Sequence, residues 1–296
     1  MPKRKLFRLK LRSGTLLLGE RTLIMGVLNI TPDSFSEGGR FFSLKRAIDG
    51  ALAMVRGGAD ILDIGAESTR PGSAGISAAE ELQRLLPVLE ALRARLKIPI
   101  SVDTQKAGVA EIALGAGAAL LNDISGLKND PRMAEVAAKF GVPLILMHMR
   151  GTPHTMQKQP FAKNALKDVI AGLRRSIAIA RRAGVRKSQI ILDPGVGFGK
   201  SFWQNYELLA KLPELAKLGY PVLVGTSRKG FLGATLASHG KPAPPEARIW
   251  GTAATVTASI LSGAHIVRVH DVAEMAQVAK VADALRKVAS LRTKQL

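Results

Sequence analysis

Eight short apolar runs recur along the chain, and a stretch with helical periodicity follows each of them. The runs are TLIMGVLN (22–29), DILDIGA (60–66), PISVDT (99–104), ALLNDIS (119–125), PLILMH (143–148), QIILDPG (189–195), PVLVGTS (221–227) and AHIVRVHD (264–271). Their apolar residues are continuous rather than alternating, which indicates strands buried on both faces and therefore a parallel sheet. Eight strand–helix units predict an α/β fold, a (β/α)8 TIM barrel, which commonly uses about 250 residues.

The segment before the first run has a different pattern. FRLKLRSGTLLLGE (7–20) alternates apolar and basic residues and then turns at Ser13–Gly14, which predicts an N-terminal β-hairpin within residues 1–20. We expect this hairpin to close the bottom of the barrel. The alternative is a doubly wound open sheet, but no G-x-G-x-x-G turn follows the first strand. No linker or repeat divides the chain, so residues 1–296 are predicted to form one domain.

The composition excludes several classes of chemistry. The chain has no cysteine, which removes disulfides, thiolate nucleophiles and Cys-based metal sites and is compatible with the cytoplasmic location that we expect. Residues 249–267 carry no charge, but Gly, Ala, Ser and Thr make them too polar for a membrane span. We predict a packed helix followed by a buried strand there, and no membrane partner.

The formal net charge is +20, which could attract nucleic acid. However, the Lys and Arg residues are spread over many helical segments, and no aromatic-basic nucleic-acid motif is present. We therefore interpret the charge as a basic surface that helps anionic small molecules to arrive, and we do not expect a nucleic-acid partner.

Polar residues crowd the predicted carboxyl ends of the strands, where a barrel of this class carries its active site. They are Asn29, Glu67 to Arg70, Asp103, Asn122, Asp123, His148, Asp193, Arg228, Lys229, Arg268, His270 and Asp271. Capping of the next helix could explain Asp123 or Asp271. It does not explain Asp103, Asn122 and Asp193, because each is embedded in an apolar strand where an unpartnered polar group is costly.

Seven segments in this order resemble the motifs of one family. They are GVLNITPDSFSEGG, DIGAESTRPGS, SVDTQKAGVAEIALGAGAALLNDISG, LMHMRGTPHTMQ, DPGVGFGK, GTSRKGFLG and GAHIVRVHDV, and they cover residues 24 to about 272. The match is to the dihydropteroate synthase family. The resemblance implies a (β/α)8 barrel, a homodimer and Mg²⁺ as cofactor. It also implies the condensation of 6-hydroxymethyl-7,8-dihydropterin diphosphate with p-aminobenzoate, which gives 7,8-dihydropteroate and pyrophosphate in folate biosynthesis.

The resemblance assigns the pterin site to Asp103, Asn122, Asp193 and Lys229. Carboxylates and carboxamides suit this role, because a pterin presents an edge of hydrogen-bond donors and acceptors. Asp103 is also the candidate to hold negative charge near the pterin cation left by pyrophosphate loss. Asp33 would assist if residues 31–39 close over the site, so that Asp103, Asp33 and Lys229 are the expected catalytic residues.

The family's anion pocket matches Asn29, Arg268 and His270, and Arg70 is expected to reach the diphosphate as well. Asn29 is the expected Mg²⁺ ligand, which suits a cation that prefers oxygen and keeps several waters. Arg268 and His270 are two residues apart, so both should face the same side of their strand. Thr69, Arg70 and Pro71 match the p-aminobenzoate site.

Two positions depart from the family's commonest pattern. Ala66 stands where Gly is frequent, and Gly230 stands where many members have Ser beside the p-aminobenzoate carboxylate. That carboxylate would then depend on backbone N–H groups at the start of the next helix. The glycines of DPGVGFGK fit no P-loop, and we predict a turn that allows close approach to the pterin, with Phe198 as a stacking wall.

Two alternatives remain at this point. A pterin-binding methyltransferase barrel would share the Asp and Asn positions, but it is not expected to carry ESTRPG or SRK. A non-catalytic homologue is expected to have lost one of Asp33, Arg70, Lys229 or His270, and all four are present.

Overall fold

The structure is a computed structural model, and it describes residues 1, 4–12, 14–30, 39–69, 72–73, 75–158 and 161–292. Within these ranges an antiparallel hairpin precedes eight parallel strands. The hairpin consists of β1 (Phe7–Leu11) and β2 (Gly14–Leu18). The parallel strands are β3 (Leu23–Asn29), β4 (Ile61–Gly65), β5 (Ile100–Asp103), β6 (Leu120–Asp123), β7 (Leu144–Met147), β8 (Ile190–Asp193), β9 (Leu223–Val224) and β10 (Ile266–Val269).

The parallel strands run in the order β8-β7-β6-β5-β4-β3-β10-β9. A further bridge between Leu192 and Val222 connects β8 to the residue before β9, so the two ends of the sheet meet. The predicted (β/α)8 barrel is therefore confirmed. The ladder of β9 is shorter than the apolar run 221–227, because the chain turns where the Lys229 N–H donates to the Thr226 carbonyl at 3.2 Å.

Helices follow the strands and form the outer layer. They are α1 (Gly39–Arg56), α2 (Ala78–Arg93), α3 (Ala107–Gly115), α4 (Met133–Phe140), α5 (Ala165–Arg182), α6 (Phe202–Ala210), α7 (Leu212–Ala216), α8 (Gly230–Thr235), α9 (Ile249–Leu261) and α10 (Val272–Arg292). Polar caps fix several starts: Ser77 accepts the Glu80 N–H at 3.1 Å, and Asn164 accepts the Lys167 N–H at 2.9 Å. No helix within the described ranges is long and apolar enough to cross a membrane.

Strand residues alternate between the helix layer and the barrel interior. In β7, Leu144 and Leu146 pack against the helices, whereas Ile145 lies inside with the buried residues of the hairpin. Leu9 and Leu18 of the hairpin are 1% exposed and contact the interior residues at the amino ends of the strands. The hairpin therefore closes the bottom of the barrel, as predicted, and the polar interior residues lie above it, toward the carboxyl ends of the strands.

Candidate functional site

An ion cluster lies inside the barrel above the apolar floor. The guanidinium of Arg268 donates from Nε to Asp63 Oδ2 at 2.7 Å and from Nη2 to Asp103 Oδ2 at 2.8 Å. Asn122 donates from Nδ2 to the same Asp63 oxygen at 3.0 Å. Charge-assisted hydrogen bonds thus connect Arg268 with side chains of β4, β5 and β6, and they hold Asp103 and Asn122 side by side.

The Asp103 carboxyl group has a pKa close to neutral pH. Burial raises its pKa to about 7, the positive charge of Arg268 opposes this shift, and the negative charge of Asp63 adds to it. A positive charge that forms beside Asp103 during a reaction would lower the pKa and fix the ionised form. The carboxylate therefore suits the role of stabilising a cation.

Asp193 and Lys229 occupy the opposite side of the interior. Asp193 ends β8, is 6% exposed and accepts the Gly195 N–H at 2.7 Å, while burial raises the pKa of its carboxyl. Burial, followed by the charge of Arg268, lowers the pKa of Lys229 to about 8. The Lys229 Nζ lies 3.8 Å from the ring centroid of Phe198, a cation–π distance. This side offers a carboxylate, an ammonium group and an aromatic wall.

The loop DPGVGFGK, which carries Phe198, packs closely against the loop after β7. Gly195, Gly197 and Gly199 have φ values of 64°, 85° and 67°. A Cβ atom at Gly195 would lie 2.0 Å from the His148 carbonyl oxygen, so only glycine fits there. The predicted tight turn is confirmed, and Phe198 is 8% exposed.

Lys200, which the sequence did not single out, anchors the same loop. Its Nζ donates to the carbonyl oxygens of His148 at 2.9 Å and Gly195 at 2.7 Å. The residue is 4% exposed, and burial lowers the pKa of its amine from 10.5 to about 7. Nothing in the local pattern distinguishes a lysine that will be buried from one that will be solvated.

We expect Lys200 to make stability rise with pH above neutrality. Between pH 7 and 10 the unfolded chain keeps a proton on this amine that the folded chain has released, so raising the pH favours folding by on the order of a few kcal/mol. Urea denaturation at pH 7 and 9.5 should show a smaller rise in unfolding free energy for Lys200→Met than for the wild type. Lys211→Met, which removes an exposed partner of Glu207, serves as control and should keep the wild-type rise. An unchanged pH dependence in Lys200→Met would contradict this assignment.

Two of the expected diphosphate residues, Asn29 and His270, lie at the carboxyl ends of their strands. Asn29 is exposed at the end of β3, and the half-buried His270 accepts a hydrogen bond from the Ser227 hydroxyl, or donates one to it, through Nδ1 at 3.0 Å. Burial, followed by the charge of Arg268, lowers the pKa of His270 to about 4, so its imidazole is neutral at pH 7. Arg268 faces the barrel interior, where its guanidinium is bonded to two carboxylates. That His270 shares this face stays a prediction.

The loop after β4 is supported by buried ion pairs. Lys106 bridges Glu67 at 2.8 Å and Glu81 at 2.6 Å, and the second Glu67 oxygen accepts the Ile76 N–H at 3.1 Å. Thr69 is half-buried near the start of this loop. Asp33, Arg70 and Pro71 lie outside the described residues, so their predicted roles stay predictions.

Two acidic residues of the rim have structural partners. Asp123 accepts the backbone N–H groups of Ser125 at 2.8 Å and Leu127 at 2.7 Å. Asp271 accepts a hydrogen bond from Arg228 Nε at 3.1 Å. Capping of the next helix was the alternative for both, but the contacts of Asp123 are with a turn and those of Asp271 are with Arg228. Among the described residues, no hydrogen bond connects either carboxylate to the interior cluster.

The two departures from the family pattern are sterically mild. Ala66 is 1% exposed and packs in the core between the barrel and the helices. Gly230 begins α8, and a Cβ atom there would meet no other atom within 4 Å. A serine would therefore fit at position 230, and packing does not dictate glycine.

Asp63 is the interior residue that the sequence analysis missed. It is 0% exposed and lies in the run DILDIGA, so the argument used for Asp103 applies to it equally. The feature of the sequence that could have identified Asp63 is a carboxylate within a continuous apolar strand.

Comparisons with known proteins agree with this geometry. A family model described as pterin binding enzyme matches residues 25–270. The dihydropteroate synthase of Synechocystis sp. is 53% identical over 267 residues, which cover 90% of this chain and 91% of that protein.

Solved structures give the same result. The dihydropteroate synthase of Clostridium difficile, determined in the presence of pteroic acid, matches with a TM-score of 0.84 and 46% identity and covers 90% of this chain and 98% of its own. The Xanthomonas albilineans enzyme with 4-aminobenzoic acid matches with a TM-score of 0.87 and 39% identity over 95% and 99% of the two chains.

The barrel, its polar interior and the family match define a pterin-binding enzyme. More narrowly, the chain belongs to the dihydropteroate synthase family, the transferases that act in folate biosynthesis.

Proposed function

We propose that the chain condenses 6-hydroxymethyl-7,8-dihydropterin diphosphate with p-aminobenzoate in a Mg²⁺-dependent reaction that releases pyrophosphate. The observation that carries the assignment of residues is the convergence of Asp103, Asn122, Asp193 and Lys229 on one closed-bottomed cavity. Its donors and acceptors are complementary to a pterin edge.

In this proposal the pterin lies among Asn122, Asp193 and Lys229, with Phe198 beside the ammonium group. The bond between the pterin methylene carbon and the diphosphate oxygen breaks, and the electron pair leaves with the pyrophosphate. The amine nitrogen of p-aminobenzoate then bonds to that carbon and releases a proton. Asp103 stabilises the positive charge that develops on the pterin, because its carboxylate is held in place by Arg268 and cannot turn away.

The leaving group is assigned to the rim. Asn29, Arg70 and His270 contact the diphosphate, and a neutral His270 contributes a hydrogen bond rather than a charge. Arg268 adds positive potential from inside the barrel. Thr69, Arg70 and Pro71 form the p-aminobenzoate site. The proposal also includes a homodimer.

The residues present fit a Mg²⁺ ion that arrives with the substrate. Among the described residues no group of three His, Cys, Asp or Glu side chains could hold a metal by itself. One exposed carboxamide, Asn29, suits a cation that takes its other ligands from phosphate oxygens and water. The ion would neutralise the diphosphate charge when bound.

The experiment is a product assay with both substrates. With Mg²⁺ we expect dihydropteroate and pyrophosphate in equal amounts, and chelation by EDTA should remove the activity until Mg²⁺ is restored. Folded protein that binds pteroic acid but yields no product would favour the non-catalytic homologue. Transfer of a methyl group from methyltetrahydrofolate, without condensation, would favour the methyltransferase.

A further inference from the structure

Asp63 is buried more deeply than Asn122 and Asp193, which are assigned to the pterin. It lies in the middle of β4, is 0% exposed and pairs in the sheet with Ser101 of β5, one layer below Asp103. One carboxylate oxygen, Oδ2, accepts both hydrogen bonds described above, and the other, Oδ1, has no partner among the described residues. A half-satisfied buried carboxylate costs free energy of folding, so packing alone does not explain an acid at this position.

The hydrogen bond between Asn122 and Asp63 determines which atom of the Asn122 side chain faces the barrel interior. In its ion pair with Arg268 the Asp63 carboxylate accepts hydrogen bonds through Oδ2, and the amide nitrogen of Asn122 therefore faces it. The carbonyl oxygen, on the other side of the same planar group, is directed away from Asp63. Asn122 thereby presents an acceptor, which selects a ligand with an N–H donor at that point.

The hydrogen bond from Arg268 to Asp63 determines the orientation of the Arg268 guanidinium. Because Nε is bonded to Asp63, the planar guanidinium directs Nη2 to Asp103. Without Asp63, Arg268 could rotate toward the anionic leaving group and release Asp103. One buried acceptor therefore controls both a recognition residue and the carboxylate that stabilises the cation.

We propose that Asp63 is a positioning residue that sets the hydrogen-bond polarity of the pterin site by orienting Asn122 and Arg268. The inference rests on the proposed roles of Asn122 and Asp103. Asp63 does not contact the substrate in this proposal. Its effect should therefore appear in the binding of the pterin and not in the binding of p-aminobenzoate.

The test compares substitutions that remove the acceptor with one that keeps it. Asp63→Leu removes both oxygens at similar size, and we expect the KM for the pterin diphosphate to rise about tenfold or more, in line with an unpaired buried donor. The Kd for pteroic acid should rise in parallel, while the KM for p-aminobenzoate stays within about twofold. Asp63→Asn retains one acceptor oxygen in place of Oδ2, and its pterin KM should recover to within about threefold of the wild type.

Ser101→Ala is the matched control, because Ser101 is equally buried and its hydroxyl has no partner among the described residues. It should leave the pterin KM unchanged. If Asp63→Leu does not fold, Asp63→Ala admits water to the vacated space and gives the same readout. A folded Leu or Ala variant with wild-type pterin KM would overturn the inference, as would an Asn variant as impaired as they are. An inactive wild type would instead contradict the proposed function.

Discussion

Replacing Asp103 with asparagine should lower turnover by about 10²–10³-fold and leave the fold intact. Asparagine has nearly the same shape and keeps an oxygen for the Arg268 Nη2 donor, so the cluster retains its hydrogen bond. What is lost is the negative charge beside the developing pterin cation. Steady-state kcat, together with circular dichroism and a thermal melt, measures this effect.

The same substitution should change the pH dependence. The pKa of Asp103 is about 7 before substrate binds, so kcat/KM for the pterin substrate should fall below neutrality in the wild type. This fall in kcat/KM at acidic pH should be absent in Asp103→Asn. Asp123→Asn is the control, because Asp123 is a buried carboxylate that accepts the backbone N–H groups of Ser125 and Leu127 and lies outside the interior cluster. It should lose about 1–3 kcal/mol of stability without loss of kcat. Near-normal turnover in Asp103→Asn would remove Asp103 from the catalytic residues.

Replacing Lys229 with methionine should reduce kcat/KM for the pterin diphosphate by about 100-fold or more. The ammonium group lies against the Phe198 ring, and its charge favours the ionised forms of Asp193 and Asp103. Methionine fills a similar volume but supplies no donor and leaves Asp193 without this positive neighbour. Steady-state kinetics at saturating p-aminobenzoate measures the loss.

Lys217→Met is the matched control for this lysine. Lys217 pairs with Glu214 on the surface of α7, where both side chains are largely solvated. Removal of an exposed pair changes stability little and should not change kcat/KM. Equal effects of the two substitutions would mean that Lys229 acts through general charge and not through its position in the cavity.

The barrel and its floor could be predicted because they follow from short-range patterns. Continuous apolar runs report burial on both faces, and the alternation around Leu9 reports a strand with one buried face. These patterns need only the neighbouring residues along the chain. The ladder of β9 is shorter than its apolar run, because the turn that ends it depends on the contact between Lys229 and Thr226.

The site was only partly predictable. Asp103, Asn122 and Asp193 are conspicuous in apolar strands, but their partners are distant in sequence. Arg268 and Asp63 are 205 residues apart, and no local pattern shows that an arginine expected at the diphosphate is bonded to two carboxylates. Such pairings depend on the closure of the barrel, which brings β10 beside β3 and across from β5.

The assignment of the cavity is tested most directly by a crystal structure of this chain with pteroic acid bound. We expect the pterin ring to lie inside the barrel above the apolar floor. Asn122, Asp193 and Lys229 should be within about 3.2 Å of its polar atoms. A pterin ring bound outside the barrel, or one in the cavity without contacts to these three side chains, would contradict it.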